Sequence, residues 1–247
     1  MSLIEKYHNG GKVEVWREVR KIPSPELIDK SNEVNLICDA ACGIMLKNLN
    51  HAISVLRAFN YQFVSPGAFG TDKPKPHKPI TPPDTQTRKF LNWFEQQYGP
   101  IGPLGRAFAQ IIGDVNLNGI CPTWSDTFLQ VDPFMMAIEN KDFGKRYEKY
   151  YKEEYETYAE YDDLDDFGIP ISSDDFHKAN ISGGPEYRLL IPTKGAIPRL
   201  KIKSKQVDMV DYLNSNIDSG FFPGLNSLKS KVNMKIIEEI KSGLTNI

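Results

Sequence analysis

Few residues of this chain could carry chemistry, and the first to weigh is His177, which sits in the polar segment SSDDFHKANISGGPEY just after Asp174 and Asp175. An imidazole beside a carboxylate is the arrangement of an oriented general base. A hydrolase also needs a nucleophile. Neither G-x-S-x-G nor H-E-x-x-H occurs, and Ser182 lacks the glycine that precedes an elbow serine. Ser182-Gly183-Gly184 could form an anion-binding nest, but Pro185 and the strand-like Tyr187 to Ile191 follow, leaving no helix N-terminus for a phosphate. The favoured reading makes His177 a turn residue and Ser182, Gly183 and Gly184 a tight turn where two backbones approach. A hydrolase using His177 with Asp174 or Asp175 stands as the rival.

Metal and nucleotide chemistry find less support. Cys38 and Cys42 share a helical face and His51 lies downstream, yet a closed zinc site wants four ligands and no C-x-x-C pair occurs. The two thiols read as small core residues. Asp162 to Gly168 resembles a calcium loop only in part: with Gly168 at the sixth position, Phe167 takes a ligand position and Asp174 replaces the closing Glu. G-x-G-x-x-G and G-x-x-x-x-G-K-[ST] are absent. The expectation is no metal and no cofactor.

Charge is more informative. The 247 residues carry 30 Lys+Arg against 32 Asp+Glu, a net charge of −2, which disfavours a nucleic-acid binder acting through a basic surface. That near-balance hides two segregated stretches. Glu153 to Asp175 holds ten acids and no Lys or Arg, whereas Lys194 to Lys205 holds five bases and no acid. Tyr147, Tyr151, Tyr155 and Tyr158 recur at helical spacing beside Glu153, Glu154, Glu156, Asp162, Asp163, Asp165 and Asp166. These eleven residues make an expected contact surface for a basic protein partner, steered by complementary charge and anchored by tyrosine.

The elements that must position these groups follow from periodicity. Val13 to Arg20 predicts a short helix and Pro25 to Tyr61 a long one, with Ser24 as N-cap. Ser65 to Asp84 has six prolines in twenty residues and reads as an extended linker. Beyond it, Phe90 to Tyr98 and Pro103 to Ile112 predict helices, with Gly99-Pro100 as the stop. Val115, Leu117 and Phe128 to Val131 predict short strands, and Tyr187 to Ile191 a better one. Val207 to Ile217 and Val232 to Leu244 predict closing helices, joined by a turn that includes Pro223 and Gly224. The expected organisation is a helical extension over 1–64, a proline-rich linker over 65–84 and an α+β domain over 85–247.

Three cysteines in all, with no signal-like or membrane-length apolar run, make a cytoplasmic protein the expectation. Oligomeric state is left open by composition.

Several blocks carry a resemblance. FEQQYGPIGPLGRAFAQIIGDVNLNG (Phe94 to Gly119), the following CPTWSDTFLQVDP, DDFHKANISGGPEYRLLIP (Asp174 to Pro192) and GFFPG (Gly220 to Gly224) together resemble a family of bacterial proteins of unassigned function. That likeness covers most of the chain and carries no catalytic residue across. The block with Trp93-Phe94-Glu95, Gly99, Pro103-Leu104 and Asn118-Gly119 is similar to the opening of SUKH-type domains, found in bacterial immunity proteins that neutralise toxins. The resemblance implies an antiparallel sheet backed by helices and a non-catalytic binding role, with a regulatory adaptor as another possibility.

Overall fold

The computed structural model describes residues 1–22, 24–65, 73–125, 129–138, 145–181, 183–228 and 231–247. Its first helix, α1 (Leu3–His8), starts at a capping box: the Ser2 hydroxyl accepts from the Glu5 amide, and the Glu5 carboxylate accepts from the Ser2 amide. After α2 (Lys12–Val19) comes α3 (Ser24–Ala58), whose 35 residues span about 52 Å at 1.5 Å per residue. Val34, Ile37, Ala41, Met45, Leu49, Ala52 and Leu56 fall on one face of α3 and are fully buried. Asn60, in the left-handed conformation, turns the chain out of the helix while the Tyr61 amide donates back to the Leu56 carbonyl.

The proline-rich segment is not a tether over its described part. Strand β1 (Gln62–Ser65) pairs antiparallel with β2 (Lys75–Pro76), and β3 (Ile80–Thr81) pairs with β4 (Asp114–Asn116). Pro76 is tolerated because β2 is an edge strand, where a missing donor interrupts no interior ladder. The expectation of a semi-rigid linker is therefore corrected for residues 73–84.

Asp84 caps α4 (Thr85–Tyr98), accepting from the amides of Gln86 and Thr87. Gly99 and Gly102 both adopt positive φ before α5 (Pro103–Ile111), and side chains there would collide with Pro192 and Thr193. Strand β5 (Gly119–Ile120) pairs with β1, giving the order β2-β1-β5. Strand β6 (Met135–Met136) pairs with β4, giving β3-β4-β6.

Helix α6 (Lys145–Glu160) leads to β7 (Gly168–Ser172), the short α7 (Asp175–Lys178), β8 (Tyr187–Leu190), β9 (Arg199–Ile202) and β10 (Lys205–Asp208). These strands make an antiparallel sheet in the order β10-β9-β8-β7, and α8 (Met209–Asp218) and α9 (Met234–Ser242) close the chain. The architecture is α+β with antiparallel sheets and a helical N-terminal region. No described helix is long and apolar enough to cross a membrane.

Two further expectations need correcting. Residues 129–131 are not a strand, Phe128 lying outside the described residues, and Val207 belongs to β10 rather than opening α8. The separation of 1–64 from 85–247 also fails as a packing boundary, because one continuous core joins Trp16 and Met45 to Phe94, Leu213 and Ile240. Met45→Ala is expected to cost about 2–5 kcal/mol. Urea unfolding followed by tryptophan fluorescence and by far-UV circular dichroism should give one coincident, shifted transition; two separated transitions would contradict the shared core.

Candidate functional site

Asp174 organises the turn that contains His177. It caps α7, its Oδ1 accepting from the His177 amide at 2.9 Å and lying 3.2 Å from Nδ1 of the His177 ring. Its Oδ2 accepts from the Gly184 amide. A side chain at Gly183 would collide with both the His177 ring and the Asp174 carboxylate, so glycine there permits the close approach. Ser182 lies outside the described residues. The Asp174 carboxylate, 3% exposed, is thus committed to backbone amides, while the His177 side chain is 54% exposed. That arrangement fixes a loop before β8 and supplies no nucleophile to the histidine.

The structure draws charge together one turn further on. Lys178, 3% exposed, sends its ammonium to Asp132 Oδ1 at 2.6 Å and over the Tyr187 ring at 5.0 Å. Tyr187 donates to the other Asp132 oxygen at 3.3 Å. Burial pulls the Lys178 pKa down, opposed by Asp132. Asp175 accepts from Gln130 at 2.7 Å and pairs with Lys203 at 2.9 Å. Burial alone would raise its pKa, but Lys203 and Gln130 outweigh that and hold it below the ordinary value. Pro223 and Gly224 occupy a turn beside this cluster, and the Gly224 amide donates to Val131 at 3.0 Å, so close that a side chain would collide with Gln130.

The expected contact surface is partly absorbed by the fold. Tyr151 is 3% exposed among Phe90, Trp93, Phe94 and Tyr98, which corrects its expected role as a contact residue. Tyr147 is half-buried, Tyr155 packs its ring 5.1 Å from Phe167, and half-buried Tyr158 lies 5.9 Å from the same ring. The tyrosine spacing marks the inner face of an amphipathic helix.

Most of the acids are likewise paired within the fold, two of them with the basic stretch. Arg188 binds Glu154 at 2.7 Å, Lys201 binds Asp166, and Lys194 approaches Asp165 at 4.0 Å. Glu153 and Glu156 pair along the helix with Lys149 and Lys152. What stays uncompensated among the described residues is the end of α6: Glu160, Asp162 and Asp163 are exposed, make no ion pair and flank Tyr161, which is 74% exposed.

Cys38 and Cys42 are buried, and burial pushes the Cys38 thiol up to about 12 and the Cys42 thiol up as well, so both remain protonated. His51 instead places Nε2 3.1 Å from the Ile240 carbonyl. No group of three or more His, Cys, Asp or Glu among the described residues could hold a metal ion. Sequence reading missed Asp132, Lys178 and Tyr187, because their contacts join positions 46 and 55 residues apart and no local motif announces them. The chain matches no family model, no curated protein and no solved structure.

Tyr151→Ala should destabilise the protein by about 3–5 kcal/mol and Tyr161→Ala by under about 0.5 kcal/mol, measured by urea unfolding. Lys178→Met, which strands a mostly buried carboxylate, should cost about 3–5 kcal/mol, against under about 1 kcal/mol for Lys149→Met at the exposed pair with Glu153. Equal losses within either comparison would refute the assigned environments.

The pH dependence of Asp175 follows from its depressed pKa. Its contribution is fully present above the unfolded carboxylate range of about 4 and is lost as pH falls through the folded value. Asp175→Asn should therefore flatten the acid limb of a stability–pH curve.

Proposed function

We propose that this protein is non-catalytic and acts by binding another protein, and that the contact is made by the end of α6 and the loop after it. The observation that carries the reading is the group Glu160, Asp162 and Asp163, at and just beyond the C-terminus of a helix with no basic residue in its last turn. The carbonyl end of a helix is already partially negative, so an acid in the last turn, as Glu160 is, lowers stability by about 0.3–1 kcal/mol. A surface that carries such a cost, when the neighbouring acids are paired, is suited to an external cation. Tyr161 and Leu164, both exposed, add rigid and apolar contact area at the same place.

In its specific form the proposal makes the protein an immunity protein of the cytoplasm that covers the basic active surface of a toxin, as a nuclease would present. The resemblance of the Trp93 to Gly119 block to SUKH-type domains supports this form, and the three free cysteines fit a reducing compartment. Occlusion needs no catalytic group. That agrees with a His177 whose carboxylate neighbour is occupied by backbone amides.

The test is affinity capture from the native host with the full chain and with a variant carrying Glu160→Lys, Asp162→Lys and Asp163→Lys. A basic protein retained by the wild type, released by salt, and bound at least about tenfold more weakly by the variant is expected. A partner whose retention survives the charge reversal would overturn the model, provided both proteins give the same circular dichroism spectrum.

A further inference from the structure

The tip of the β9–β10 hairpin overhangs its sheet. Strand β8 pairs with β9 only as far as Arg188 opposite Lys201, whereas β9 and β10 pair with each other out to Ile202 opposite Lys205. Beyond the last pair with β8 the chain is a two-stranded ribbon closed by Lys203 and Ser204, and such a ribbon has little stability of its own. Lys203, Ser204 and Lys205 are exposed. Among the described residues two side chains hold the tip down: Ile202, half-buried against the core, and Lys203, whose ammonium lies 2.9 Å from Asp175.

The Lys203 contact is unusual at both ends. Lys203 takes φ 56°, a left-handed conformation that costs a residue with a side chain. Glycine or asparagine would lower that cost, but neither could reach Asp175. The Asp175 side chain is only 8% exposed, and its Oδ2 serves both Lys203 and Gln130 while its buried Oδ1 has no partner. The pair is therefore a single point of attachment and not part of a fully bonded network. The tip it secures is one wall of a cleft of about 370 Å³, with Ile202 and Lys205 facing Tyr212, Ser215 and Pro223.

We infer that the hairpin tip is a flap over this cleft, latched shut by Lys203 on Asp175, and that release of the latch swings the tip away from α8 and widens the cleft. The sheet survives the motion, because Leu200 and Lys201 keep their partners on both sides while the ribbon hinges beyond them. This device is independent of the protein-binding surface proposed above.

The test places spin labels on the full chain at Ser204→Cys on the tip and Ser215→Cys on the facing wall, the three native thiols being buried. With Lys203 present, electron paramagnetic resonance should give a narrow distance distribution. Lys203→Asn tolerates the left-handed turn but cannot reach Asp175, and Asp175→Asn frees Lys203 without stranding a buried charge. Each should raise the population of longer distances at least about fivefold, whereas Lys203→Arg should keep the narrow distribution. A distribution unchanged in either asparagine variant, or an arginine variant as open as these, would overturn the inference. So would an equal broadening at a control pair, Asn35→Cys with Ser215→Cys, which reports general loosening of the core.

Discussion

The buried seam of α3 is the constraint on which the rest of the structure depends. The face of α3 that runs from Val34 to Leu56 is buried and must be covered, and distant parts of the chain share the task. Near its start, Glu33 accepts from the amides of Leu3 and Ile4, which docks α1. Toward its end, Asn48 both donates to the Thr245 carbonyl at 2.7 Å and accepts from the Thr245 amide at 3.1 Å, which clips the segment after α9 to the same helix. Asn48 is 4% exposed, so these two bonds satisfy a polar group that would otherwise cost about 1–3 kcal/mol. The helical N-terminal region and the final helix thus stabilise each other through α3.

The same closure explains the electrostatics. Acids that cluster in sequence are spread by α6, β7 and α7, and the basic stretch folds back as the β9–β10 hairpin, bringing Lys201 and Lys203 to Asp166 and Asp175. Most of the apparent dipole of the sequence is spent internally. The remainder is what bears on function: acids at the end of α6 with no internal partner among the described residues.

Helices were largely legible because their signals are local. The apolar spacing of α3 and α4, Pro103 opening α5 and the tyrosine period of α6 all correspond to observed elements. The period located the buried face of α6 but could not say what it was buried against, so Tyr151 looked available to a partner. Strands of two to four residues hold too few side chains for a pattern, and their partners lie far away, as with Phe63 and Gly119. The β9–β10 hairpin was hidden because its turn uses Lys203 at positive φ, where glycine or asparagine is the usual sign. At the candidate site, the His177 turn could be read from neighbouring residues. The Lys178–Asp132 pair could not, since only the fold brings its halves together.

Native-state amide hydrogen exchange measures the central claim, that one core built on α3 binds the whole chain into a single cooperative unit. Amides of Ile37 to Leu56 and those of β8 and β9 should exchange with the same opening free energy, equal to the global stability from urea unfolding. An α3 that opens well below the free energy of a still-protected β7–β10 sheet would show the N-terminal helices to be an appended unit, and would contradict the account.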